Sequence, residues 1–92
     1  MHNEYFTKIY LEYCRKAKNV SELSLNELLD IVFMIGNYLG NAFCMVLDTN
    51  ISLSFEYYAK FSQKMHNLKR IFNAEIVKRI GEWTWKSRKY IL

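Results

Sequence analysis

The chain has 92 residues, 51% apolar and 24% charged, with no proline and three glycines. That length suits one domain, 1–92, and so high an apolar share argues against a disordered segment. A formal net charge of +4 turns attention to anionic partners. The scarcity of turn-forming residues favours long helices over a sheet.

The opening Met1-His2-Asn3-Glu4 lacks the basic then apolar pattern of a secretion signal, so a cytoplasmic protein is expected. Residues 3–18 are predicted as the first helix, because Tyr5, Phe6, Ile9, Tyr10, Tyr13, Cys14 and Ala17 recur at helical spacing. Asn3 suits its cap. The pairs Glu4/Lys8 and Glu12/Lys16 place an acid four residues before a base, the favourable order on a helix. Lys18 to Leu23 is a short connection with room for one helical turn beginning at Ser21.

Residues 25–47, LNELLDIVFMIGNYLGNAFCMVL, are predicted as the second helix. Ser24-Leu25-Asn26-Glu27 has the form of a capping box. Most of the circumference is apolar, so this helix is expected to be the axis of the fold, enclosed by the others. Asp30, Asn37, Asn41 and Asp48 fall on one narrow line. Gly36 and Gly40 each cost the helix about 1 kcal/mol against alanine, and a neighbouring backbone is expected to close over them. The other reading of this G-x-x-x-G is a transmembrane dimer face. The window reaches the roughly 20 residues needed to span a bilayer. Asp30 would then sit at membrane depth, at a cost of roughly 2.5 kcal/mol or more. A soluble helix with one wetted strip is therefore expected, and membrane association is not.

Asn50, Ser52 and Ser54 are candidate caps for the third helix. Its stripe is Tyr58, Phe61, Met65, Leu68, Phe72, Ile76, Ile80 and Trp83, spaced three or four apart throughout. The phase holds through Asn73, which predicts one helix over about 54–82; a break near Asn73 would make a fourth. Gly81 is the expected stop, with 83–92 a basic, aromatic tail. The fold class is thus an all-α small bundle of three helices, 3–18, 25–47 and 54–82, or four with that break. The first two are expected to pair as an antiparallel hairpin.

Charge is divided unevenly. Residues 1–53 carry four bases and six acids, net −2, and residues 54–92 carry nine bases and three acids, net +6. On the third helix, Lys60, Lys64, Asn67, Arg70, Lys78, Arg88 and Lys89 lie opposite the apolar seam, with Trp85 among them if the helix continues. Lysines and arginines in such a line neutralise phosphates, and an exposed ring can stack on a base. Lys69 and Arg79 project toward the apolar side and must snorkel.

No constellation for catalysis emerges. His2 is terminal, and His66 reads as a half-buried structural histidine. Cys14 and Cys44 lack zinc or redox spacing. In the hairpin they stand about 22 Å apart, against the 7 Å a disulfide allows, and both read as reduced core residues. Glu27 and Asp30 are accounted for by the helix dipole. No enzyme activity, metal or cofactor is expected.

Two readings of function remain. The first is a non-enzymatic subunit or accessory protein, inside a larger assembly, that binds nucleic-acid backbone without sequence preference. The second is an inhibitor or immunity-type module of phage or mobile-element origin, blocking a protein surface with Trp83, Trp85 and Tyr90. An acidic protein surface is a further partner for the basic face, and the apolar end near Trp83 and Tyr90 invites a second copy of the chain.

Overall fold

The computed structural model describes the backbone of residues 2–48 and 54–91, and the side chains of residues 4–48 and 54–83. Within these residues the chain forms three α-helices, α1 (His2–Lys18), α2 (Leu25–Leu47) and α3 (Phe55–Ile91), with one 3-10 turn, Val20–Glu22, between the first two. All the regular structure described is helical, and the three helices pack together as an all-α bundle.

Local chemistry sets the boundaries. Ser24 Oγ accepts from the Glu27 N–H at 3.1 Å, and the Glu27 carboxylate accepts from the Ser24 N–H at 3.4 Å. That reciprocal pair satisfies two donors that the first turn of α2 leaves without intrahelical partners. Asp48 closes α2, its N–H donating to the Cys44 carbonyl at 3.1 Å. Of the three candidate caps for α3, Ser54 serves, accepting from the Tyr57 N–H at 3.0 Å. Asn50 and Ser52 lie outside the described residues. Asn3 does not precede α1 but belongs to it, since the helix begins at His2.

Helix directions follow from the ring contacts. Phe6 stacks 6.4 Å from Tyr57 and 4.7 Å from Phe61, so α1 runs parallel to α3. Phe43 meets Tyr58 at 5.8 Å, and Arg79 reaches the carbonyls of Val20 and Leu23, so α2 runs antiparallel to α3. Tyr13 and Tyr38, 6.0 Å apart, join α1 to α2. The order is up, down, up, with the α2–α3 interface the most extensive and α1–α3 next. Phe6, Leu28, Ile35, Met65 and Phe72 form the sealed centre of the core.

Three expectations are corrected. α2 is not enclosed: Leu28, Ile31, Ile35, Leu39 and Ala42 are buried, while Leu25, Leu29, Phe33, Phe43 and Leu47 are exposed. Three helices in a triangle can cover only one face of each member, whatever residues its other faces carry. The shared partner of the bundle is α3, which packs on both of the others. No helix closes over Gly36 or Gly40, since a methyl group at either would meet nothing within 4 Å.

Nor does Gly81 end the last helix. Glycine in a helix interior costs about 1 kcal/mol, and a stop requires a left-handed or otherwise non-helical residue to follow. Gly81 has no positive φ, and α3 continues unbroken through Asn73 and Gly81 to Ile91. At 37 residues α3 is about 55 Å long, which accounts for most of the 60 Å length of the molecule.

Candidate nucleic-acid interface

α3 presents its residues in two opposed lines. Phe61, Met65, Leu68, Phe72 and Ile76 are buried, one every turn, and fix the helix by one side. Lys60, Lys64, Asn67, Arg70 and Lys78 are all exposed on the other. From Lys60 to Lys78 the line spans about 27 Å, at 1.5 Å per residue. Trp85, Arg88, Lys89 and Tyr90 belong to the helical backbone, but their side chains lie outside the described residues.

The bases are not equivalent. Lys60 Nζ stands 3.6 Å from Glu56 Oε1, an exposed pair one turn apart. Such pairs are worth a few tenths of a kcal/mol and are readily exchanged for a phosphate. Lys64 leans toward α1 and lies over the Tyr10 ring, 5.3 Å from its centroid. It therefore rims a shallow pocket of about 120 Å³ between α1 and α3, floored by Phe6 and Phe61. Arg70, Asn67 and Lys78 point outward from the bare side of the rod.

Two bases were expected on the apolar side, and both are half-buried there. Arg79 is the more consequential. Its Nε donates to Glu75 Oε1 at 3.0 Å, Nη1 to the Leu23 carbonyl, and Nη2 to the carbonyls of Val20 and Ser21 at 3.2 and 3.0 Å. A planar guanidinium with several fixed donors is suited to such a cluster of acceptors. Arg79 thus belongs to the framework and not to the basic face. The sequence flagged its inward aim, but its acceptors are backbone atoms more than fifty residues away, which no spacing rule reveals.

Trp83 is 70% exposed. It continues the line of the buried seam, past the point where the other helices cover it, and so projects from the side opposite Lys78. The basic line and Trp83 are separate surfaces on one helix.

Two tyrosines are perturbed. Tyr13 is raised to about 12, first by burial and then by the neighbouring Tyr38 and Glu12. Tyr10 is raised above its ordinary value, chiefly by its hydrogen bond with Cys14. Both stay protonated at neutral pH and act as packing and hydrogen-bonding groups. Cys14 is half-buried, whereas Cys44 is exposed, so only the first is near the core. His66 is also exposed, not half-buried as its place beside the seam suggested. Among the described residues no group of three His, Cys, Asp or Glu side chains is placed to hold a metal ion.

Comparison with known proteins adds no assignment: no family model, curated protein or solved structure matches the chain.

Proposed function

We propose that this protein is a non-enzymatic helical accessory protein that binds the backbone of nucleic acid along the outer side of α3. The supporting observation is the exposed run of Lys60, Asn67, Arg70 and Lys78 along one side of a rod anchored by its opposite face. A rigid line of cations needs no folding on contact, so little ordering entropy opposes binding. Arginine and lysine displace condensed counterions from phosphates, a contact indifferent to base sequence. Arg88 and Lys89, on the same sequence phase, would lengthen the line toward the C-terminal end. Asn67 contributes a neutral donor to a phosphate or sugar oxygen.

The test is fluorescence anisotropy of labelled duplex and single-stranded oligonucleotides across a salt series. Binding to duplex should weaken with a log–log slope of about −0.9 for each phosphate neutralised. Charge reversal at Arg70 and Lys78 together should reduce that slope by about two and weaken binding on all sequences alike. Binding that ignores salt, or none at low salt, defeats the reading.

A second reading draws on the exposed Trp83. Tryptophan dominates protein interfaces, and a ring projecting from a helix can fill a pocket on a target protein. In that case the chain is an inhibitor or immunity-type module. Trp83→Ala would then abolish capture of a protein partner while the Arg70 and Lys78 reversals leave it intact.

A further inference from the structure

The largest feature left unused by this reading is the bare face of α2. Leu25, Leu29, Phe33, Phe43 and Leu47 are exposed there, by 39, 48, 68, 44 and 66%, with Phe43 at the edge where its ring also meets Tyr58 of α3. With Gly36 and Gly40 they fall within an arc of about 80°, at 100° per residue, turned away from the buried Leu28–Ile35–Leu39 side. From Leu29 to Leu47 the steps are four, three, four, three, four, which is the seam spacing of paired helices. Among the described residues nothing lies within 4 Å of a Cβ built at either glycine, so the centre of the stripe is an open trough.

We propose that the occupant of this face is a second copy of the chain, docking α2 against α2. The stripe is its own mirror image. Counted outward from Tyr38, Gly36 and Gly40 are equidistant, as are Phe33 and Phe43, and Leu29 and Leu47. Two copies packed antiparallel about a two-fold axis at that level place glycine on glycine, phenylalanine on phenylalanine and leucine on leucine. A two-fold contact uses the same patch on both partners, so a self-complementary patch is what it requires. An unrelated partner would place no such condition on the spacing.

Size agrees. Fractional exposures applied to side chains of this class leave about 500 Å² of apolar surface per copy. Two copies together offer at most about 1,000 Å² of this surface for burial, the lower limit for a specific interface. The trough lets the two backbones approach closely, while Phe33 and Phe43 flank it and Phe33 and Leu47 are the most exposed residues of the stripe. Asp30, Asn37 and Asn41, all exposed, line one flank and remain wetted at the rim. The same helix is long and apolar enough to cross a membrane by length and composition, so a lipid bilayer is the rival occupant. Wetted polar residues on its flank and a mirrored spacing favour the protein partner.

Sedimentation equilibrium of the full chain over a broad concentration series tests the proposal. The wild type should be a dimer. Phe33→Lys and Gly36→Gln should each weaken association at least a hundredfold while leaving the helical circular dichroism unchanged. Phe33 is mostly exposed and a Cβ at Gly36 meets nothing within 4 Å, so loss of the fold is not expected. Reversal of Arg70 and Lys78 on α3 should leave the dimer intact, which separates this contact from nucleic-acid binding. A wild type that stays monomeric throughout overturns the proposal. So does a dimer indifferent to Phe33→Lys, or a chain that sediments with phosphatidylcholine vesicles in place of dimerising.

Discussion

At the scale of single residues, Arg79 ties the molecule together. Its guanidinium serves a carboxylate on its own helix and three carbonyls of the link between α1 and α2. Hydrogen bonds to a charged group contribute about 1.5–3 kcal/mol net, and Arg79 makes several of them at once, two to part-buried carbonyls. Arg79→Ala is therefore expected to lower stability by about 2 kcal/mol, a fall of roughly 8–16 °C in Tm for a chain of this size. Arg79→Lys should recover only part of this, because an ammonium lacks the planar fork. Thermal unfolding followed by circular dichroism measures both. A melting point unchanged by Arg79→Ala would show that the cluster is ornamental.

At the scale of elements, periodicity predicted the three helices, and of the expected caps Ser24 and Ser54 are in place while Asn3 and Gly81 are not. In α3 every buried residue belongs to the predicted stripe, since a single row of spacings reports the face that meets neighbours. In α2 the same reasoning overreached. An apolar circumference says that a residue tolerates burial, not that a neighbour exists to bury it. Leu29 and Phe33 look like core residues in the sequence and are exposed because the bundle has only three members. The end of α3 was misplaced for another reason. Gly81 has the helix-breaking composition of a stop without the conformation of one. Its Cβ position opens on empty space. Gly81→Ala should therefore strengthen the helix by about 1 kcal/mol. Greater helical ellipticity at 222 nm would record it, and a loss of ellipticity would indicate that the glycine serves the helix stop expected from the sequence.

At the scale of the whole molecule, the charge of the candidate interface was visible in the sequence, but its geometry was not. Wheel projection put Lys60, Arg70 and Lys78 on the outer side, where they lie. It had no means of showing that Lys64 tilts over Tyr10 of α1, because that contact depends on the relative height of two helices. Packing between helices also bears on stability at alkaline pH. Tyr13, buried where α1 meets α2, is raised to about 12 from an unfolded value near 10. A raised value means that the folded state favours the protonated phenol. Its contribution is complete below pH about 10 and is lost as the pH rises toward 12, at a cost on the order of 2 kcal/mol. Urea unfolding between pH 9 and 12 should show that decline, and Tyr13→Phe should flatten it. An unchanged slope in the variant would assign the decline to other groups.

The fork at Arg79 also has a mechanical consequence. To slide along its axis by one turn, about 5.4 Å, α3 would have to vacate all three backbone carbonyls of the link at once. The rod is therefore pinned in height as well as in rotation, and a pull on its C-terminal end is borne first by the elbow between the two shorter helices. Load applied at the overhanging end would open that elbow before it shears the aromatic layers at Phe6 and Phe61.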